Sequence, residues 1–324
     1  MVTDWWTART VAITGATGYV GTALRNRLAA RGARLRLATR QARPTEHDSV
    51  CWQQGDIRDP DLWRAIVAGA DVIFHLAAQT SVPVAERDEE GDFAANVRPA
   101  MLLGQACRRF GNRPLVVYAG TVTQAGRPSA EASVLSEDGP DAPSTVYDLH
   151  KLMAETYLRQ AARVERFRMV SLRLSTVYGP GPPSPVAERG VLNAMARRAL
   201  SGVPLTIYAP GTQLRDYIFI DDVTEALMLA AECADTTEGQ VFAIGSGERR
   251  TVAEAFSLLA DEAARKTGTP VPVHYVAAPT HLHPINFRSY VVDATRFQQA
   301  TGWRPRTNLD RGVAMTLDWL AGLS

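Results

Sequence analysis

The sequence predicts an α/β fold: a doubly wound parallel sheet with a smaller lobe toward the C-terminus. Three observations lead there. Short apolar runs at 10–14, 34–39, 71–78 and 114–119 alternate with stretches of helical period, the order that builds a parallel sheet covered by helices on both faces. Glycines stand between the first run and the first helix at the spacing G-x-x-G-x-x-G, as Gly15, Gly18 and Gly21. After residue 180 the pattern breaks at Pro180, Pro182, Pro183 and Pro185, which make a loop and not another strand. With 324 residues, 46% of them hydrophobic, the chain is long enough for one large domain and a lobe.

Thr10–Thr14 is apolar without alternation, as in a strand buried on both faces. A helix is expected from Thr22 to Ala30, closed by Gly32. A strand, a glycine turn and a helix start, in that order, cradle a pyrophosphate. The glycines let the backbone approach, and the first helical N–H groups face the anion. The turn therefore marks a Rossmann-like dinucleotide site formed by Gly15, Thr17, Gly18, Tyr19, Val20 and Gly21. The second strand, Arg34–Thr39, ends without the Asp or Glu that would hold a ribose 2′-hydroxyl. Arg40 and Arg43 stand there instead, and a guanidinium suits a 2′-phosphate. NADP(H) is the expected cofactor. NAD(H) stays open, because in a chain with 33 arginines two near a strand end can be accidental.

Gly55–Asp59 is a turn before a helix near 60–68, and Asp56 and Ile57 fall where an adenine would lie. Asp71–Ala78 is a strand running into Leu76, Ala77 and Ala78, with His75 read as a packed strand-end residue. A helix is expected over 92–110, carrying Asn96, and the next strand ends at Ala119-Gly120-Thr121-Val122-Thr123. Ligands collect at the C-terminal ends of parallel strands, so Thr121 or Thr123 comes out on the cofactor side. Tyr147 and Lys151 follow, four residues apart and so on one face of a helix. A free phenol titrates near about 10, and a fixed ammonium beside it brings that value toward the working range. Only Lys151 and Lys266 are lysines, so the spacing does not arise from abundance.

A net charge of +1 leaves no basic footprint for nucleic acid or a membrane surface. Cys51, Cys107 and Cys233 are an odd set with no C-x-x-C, as in a reducing compartment. No basic and apolar leader opens the chain and no apolar run reaches spanning length, so a cytoplasmic location is expected. His281 and His283 lack carboxylate or cysteine partners at ligand spacing, and no metal is expected.

Gly15/Gly18/Gly21, Asp56-Ile57, His75-Leu76-Ala77-Ala78, Thr121 and Tyr147/Lys151 together resemble the extended short-chain dehydrogenase/reductases of the NAD-dependent epimerase/dehydratase family. Leu172–Gly181, Arg215–Val223, Asp293–Arg296 and Gly302–Pro305 are similar to that family's later signatures. The segments 121–126, 189–198 and 286–293 resemble the dTDP-4-keto-6-deoxyhexose 4-ketoreductases of antibiotic deoxysugar biosynthesis.

The resemblance implies a Rossmann domain over 1–176, with 216–248 returning to it. A nucleotide-sugar lobe would comprise 177–215 and 249–324. It implies Thr121, Tyr147 and Lys151 as catalytic residues, with Lys151 also on the nicotinamide ribose and Asn96 orienting it. Leu76, Ala77 and Ala78 would line the cofactor. Thr123, Thr176, Val191, Leu192, Thr206, Tyr208, Arg215 and Arg288 would contact a dTDP-sugar, Tyr208 against the thymine and Arg215 on the diphosphate. The helices near 92–110 and 148–165 would pair in a homodimer.

This chain also departs from its relatives. Val122 and Thr123 stand where the family's 4,6-dehydratases carry an Asp-Glu pair, which argues against a dehydratase. Thr176 replaces a common epimerase asparagine. The arginine that epimerases hold near His283 is missing, a role Arg288 is placed to take. The expected reaction is NADPH-dependent reduction of a C4 ketone. A 4-epimerase holding NAD would use the same residues, and a non-catalytic NADP-binding redox sensor is the alternative of another class.

Overall fold

Seven parallel strands form the central sheet of the computed structural model, which describes residues 4–44, 47–125, 133–164, 167–182, 190–279 and 284–322. They are β1 (Thr10–Thr14), β2 (Arg34–Thr39), β3 (Val50–Gln54), β4 (Val72–His75), β5 (Leu115–Thr121), β6 (Arg168–Leu174) and β7 (Val241–Ile244). Their order across the sheet is β7-β6-β5-β4-β1-β2-β3. The winding reverses between β1 and β4, the crevice where such a sheet receives its ligand, and there Thr14 lies opposite His75.

Helix α1 (Tyr19–Ala30) and the helix Ile220–Glu232 cover one face. Helices α2 (Pro60–Val67), α3 (Glu89–Phe110) and α4 (Val146–Val164) cover the other. Successive strand residues point to opposite faces. Val11 and Ile13 therefore join Leu24, Phe74 and Phe242 in one core, while Ala12 joins Trp63, Leu103 and Leu158 in the other. Burial on both faces is why these strands read as continuous apolar runs.

Several boundaries differ from the sequence expectation. Helix α1 begins at Tyr19, not Thr22, with Gly18 as its N-cap. Helix α3 begins at Glu89, not 92, because the Asp88 carboxylate accepts the Gly91 N–H at 2.9 Å and caps the helix early. Strand β4 ends at His75, and Leu76–Ala78 leave the sheet as a loop. The edge strand β3, Val-Cys-Trp-Gln-Gln, is half-buried at best and lacks the apolar run of its neighbours.

A third core packs Leu192, Ile207, Phe256, Leu259, Val313 and Leu317 around Tyr178 and Phe219. It joins the helices Val191–Leu200, Val252–Thr267 and Leu309–Ala321 to the parallel pair Leu205–Tyr208 and Val273–Val276. Three short pairings bind these segments to the rest of the chain. Leu214–Arg215 pairs with Arg250–Thr251, Tyr217–Phe219 with Thr176–Tyr178, and Tyr290–Val292 with Ser133–Leu135. Buried Asp216 sits at the junction, accepting the N–H groups of Ser246, Gly247 and Val292 at 2.8, 2.9 and 3.0 Å. Backbone donors thus satisfy an anion that burial alone would disfavour. Among the described residues no helix is long and apolar enough to cross a membrane.

Candidate active site

The glycine turn is shaped by close approach. Gly15 has φ +72°, and a Cβ there would lie 2.8 Å from the Ala77 nitrogen and 2.9 Å from the Leu76 carbonyl carbon. A Cβ on Gly21 would meet the Gly15 oxygen at 2.1 Å. Helix α1 has no side-chain cap and no acidic residue in its first turn, so its leading N–H groups remain for an anion. Thr17 and Gly18 are exposed at this mouth, while Val20 packs on the core. A bare helix start above glycines that side chains would block fits a dinucleotide pyrophosphate. The Tyr19 hydroxyl donates to the Gly179 carbonyl at 2.7 Å and accepts from Asn193 Nδ2 at 3.2 Å. It thereby ties the turn to the loop after Tyr178.

Beyond β2, Arg40 and Arg43 are exposed, Arg43 with its guanidinium 5.2 Å from the Trp52 ring centre. Asp56 accepts three bonds from Arg58, at 2.9, 2.9 and 2.7 Å, and this contact holds its carboxyl below the ordinary range. The Ile57 carbonyl accepts from Trp63 Nε1 at 2.7 Å. His75 is a packed residue: burial, aided by Lys151, pulls it down to about 3, so it stays neutral. Its Nδ1 lies 2.7 Å from Thr14 Oγ1, which also accepts the Ala77 N–H at 3.2 Å. Thr14 thus pins the Leu76–Ala78 loop over the glycines. Buried Asn96 does not reach toward Lys151. Its Nδ2 donates to Gln79 O and Asp92 Oδ1, both at 3.0 Å, and its Oδ1 accepts the Gln79 N–H at 3.1 Å. The amide is used up holding the turn after β4.

Tyr147 and Lys151 lie one turn apart at the start of α4, Tyr147 half-buried and Lys151 4% exposed. The Lys151 ammonium donates to the Ala119 carbonyl at 2.7 Å and lies 4.3 Å from the Tyr118 ring centre. Burial pulls it down to about 7, against the opposing pull of Glu155 and Asp92. Thr121 ends β5, two residues beyond Lys151's acceptor. Its N–H donates to Gln124 Oε1 at 2.8 Å, and Gln124 Nε2 donates to Glu155 at 3.2 Å. Its hydroxyl lies 2.9 Å from that of Thr123, which in turn donates to Asp148.

Sequence reasoning gave no role to Gln124, Asp148 or Glu155. A signal was present: Asp148, Lys151 and Glu155 fall at i, i+3 and i+7, so one helical face buries three charged residues beside Ala154 and Leu158. Each must then be partnered. Glu155 accepts from Ser171 Oγ at 2.6 Å and Arg173 Nη2 at 2.6 Å, and Asp148 accepts from Arg288 Nη2 at 3.2 Å.

The lobe residues divide. Thr206 and Tyr208 face outward from their strand, while Leu205 and Ile207 enter the core. Val191 is exposed, but Leu192 is a core residue at 2% exposure. Thr176 Oγ1 lies 3.0 Å from the Tyr290 hydroxyl. Arg215 donates to the Asn286 carbonyl at 2.6 Å, and among the described residues no carboxylate pairs with it. Arg288 is not held out toward a diphosphate. It is 6% exposed, with Nη2 donating to Ser144 Oγ at 2.7 Å as well as to Asp148. His281 and His283 lie outside the described residues, as do 126 and 189 of the signature segments.

The NAD dependent epimerase/dehydratase family model matches residues 11–245, from β1 through the glycine turn and the Tyr147 helix to just beyond β7. The chain belongs to this family. Within it, the chain is 30% identical over 321 residues to a UDP-glucose 4-epimerase of Mycolicibacterium smegmatis, covering 96% of this chain and 98% of the relative. It is 29% identical over 315 residues to a dTDP-6-deoxy-L-talose 4-dehydrogenase (NAD(P)(+)) of Kitasatospora kifunensis, covering 94% and 93%. A solved family structure, the Thermus thermophilus UDP-glucose 4-epimerase in complex with NAD, superposes with a TM-score of 0.84 at 28% identity, covering 97% of this chain and all of that one.

Proposed function

We propose that the chain reduces the C4 ketone of a dTDP-4-keto-6-deoxyhexose with NADPH. What supports this reading is that Lys151 bonds the Ala119 carbonyl two residues before Thr121 at the end of β5, with Tyr147 one turn before Lys151 on α4, and that Val122 and Thr123 leave no acid–base pair for loss of water. The site would be completed by Thr176 at the end of the Rossmann domain and by Arg215, Tyr208 and Thr206 on the lobe side, with 177–215 and 249–324 forming the sugar-nucleotide half. A bound nicotinamide dinucleotide supplies the hydride. The Thr121 hydroxyl donates to the C4 oxygen as negative charge grows there, and Tyr147 passes it a proton. The Lys151 cation lowers the cost of the phenolate that remains. The exposed Phe93, Leu149 and Met153 on α3 and α4 are the surface we assign to a homodimer.

Arg40 and Arg43 are assigned to the 2′-phosphate of the cofactor. Replacing both with alanine is expected to weaken NADPH binding about 10- to 100-fold, as loss of charge-assisted bonds implies, with NADH binding unchanged. Fluorescence titration with both cofactors checks this. Equal loss for both would remove the assignment.

The similarity to UDP-glucose 4-epimerases supports a second reading, an epimerase that returns the hydride to the other face. Stoichiometry separates the two. The protein is incubated with NADPH and a panel of dTDP-4-keto-6-deoxysugars, and absorbance is followed while NMR assigns C4. One NADPH consumed per product is expected. Interconversion of UDP-glucose and UDP-galactose with no net nicotinamide consumed would replace reduction with epimerisation.

A further inference from the structure

We propose that Thr123, Asp148 and Arg288 form a relay that positions the Thr121 hydroxyl and fixes it as a hydrogen-bond donor to the reacting oxygen. The inference rests on the reading above in one respect, that Thr121 meets the C4 oxygen. The geometry runs inward from Thr121. Its Oγ1 lies 2.9 Å from Thr123 Oγ1, and Thr123 Oγ1 is bonded to Asp148 Oδ1. An ionised carboxylate only accepts, so the Thr123 proton is committed to Asp148. The backbone N–H of Thr123 donates to Thr121 Oγ1 at 3.3 Å, occupying an acceptor position of that oxygen. What remains mobile is the Thr121 proton. It points to Thr123 when no sugar is present and swings to the sugar oxygen when one arrives.

Without Asp148 the two hydroxyls could order themselves either way, and in one order Thr121 would accept a hydrogen bond from Thr123. A carboxylate at this point settles the direction. Asp148 is fully buried, and its charge needs a partner there. Arg288 supplies it: Nη2 reaches Asp148 Oδ2 at 3.2 Å and Ser144 Oγ at 2.7 Å, and Nη1 lies 3.5 Å from the Thr123 carbonyl. The Asp148 N–H donates to Thr145 Oγ1 at 3.1 Å, which holds the carboxylate's own backbone. A simple tie between Arg288 and α4 would need only the ion pair. The further bond runs to Thr123, whose hydroxyl lies 2.9 Å from that of Thr121. Thr123, expected from the sequence to contact substrate, becomes a positioning residue.

The test uses Thr123→Val, Thr123→Ser, Asp148→Asn and the Thr123→Val/Asp148→Asn double variant of the full chain. The readouts are kcat and KM for dTDP-4-keto-6-deoxyglucose with NADPH, the NADPH dissociation constant by fluorescence, and the thermal midpoint. Thr123→Val is expected to lower kcat about 10- to 100-fold, in the range of losing one prepared donor's alignment. NADPH affinity should stay within about twofold, and Thr123→Ser should restore most of the rate. The double variant should fall no further than Asp148→Asn alone, because coupled groups are not additive. A turnover-free readout accompanies these. In the ligand-free protein the Thr123 hydroxyl proton, held by a buried carboxylate, should give a slowly exchanging NMR resonance absent from Thr123→Val.

Wild-type kcat in Thr123→Val, losses that multiply in the double variant, NADPH affinity falling in step with kcat, or no such resonance in the wild type would each overturn the relay. If the keto sugar is not turned over, the same variants are measured on UDP-glucose epimerisation, where Thr121 faces the same oxygen. Failure of reduction in the wild type then counts against the ketoreductase reading alone. Absence of the resonance overturns the relay in either case.

Discussion

Tyr147→Phe is expected to lower kcat by about three orders of magnitude while leaving NADPH affinity within about twofold, because a positioned general acid contributes roughly 10²- to 10⁴-fold. The substitution keeps the ring, which is half-buried in the first turn of α4, and removes only the hydroxyl proposed to deliver the proton. Packing therefore changes little, and the phenylalanine enzyme should unfold near the wild-type temperature. Single-turnover absorbance with a fluorescence titration of NADPH separates the possibilities. If turnover and cofactor affinity fall together, the tyrosine is structural. If kcat is unchanged, another group gives the proton.

Lys151→Met should have two opposite consequences, on activity and on stability. Turnover is expected to drop at least 100-fold, since the phenol loses the cation one turn away. Stability should rise, and by an amount that depends on pH. Lys151 titrates near 7 in the folded chain against 10.5 for the free side chain. Between these values the unfolded chain binds more protons than the folded one, so this group's contribution becomes less unfavourable as pH rises. Below pH 7 its full cost is present. A shift of this size corresponds to roughly 4 to 5 kcal/mol at about 1.36 kcal/mol per pH unit, less about 1–2 kcal/mol for the Ala119 carbonyl that loses its donor. A net gain of roughly 3 kcal/mol is expected at pH 6, shrinking steadily toward pH 10. Thermal unfolding of both proteins at pH 6, 8 and 10 measures it. A stability difference that is constant with pH would show that burial does not depress Lys151.

The fold was legible because its strands are buried on both faces and read as unbroken apolar runs. Gly15 and Gly21 were legible because contact with Leu76, Ala77 and the turn itself excludes a side chain there. Tyr147 and Lys151 declared themselves by helical spacing. What stayed hidden depends on contacts between distant segments. Nothing in the residue pattern shows that Arg288 pairs with Asp148, or that Asn96 serves Gln79 and not Lys151. Strand β3 was hidden for another reason: an edge position relaxes the demand for apolar residues that marks the inner strands. The start of helix α3 shifted where the Asp88 cap outweighed the apolar pattern.

Arg288 reaches Asp148 across 140 residues, and the strand that follows it, Tyr290–Val292, pairs with Ser133–Leu135. During vectorial synthesis on the ribosome, the segment from 133 to 164 emerges long before its counterion and its edge partner do. Until residue 292 has cleared the exit tunnel, the nascent chain carries a carboxylate that cannot be sealed inside without a penalty. The Asp148 carboxylate therefore gains its counterion only when nearly the whole polypeptide has been made.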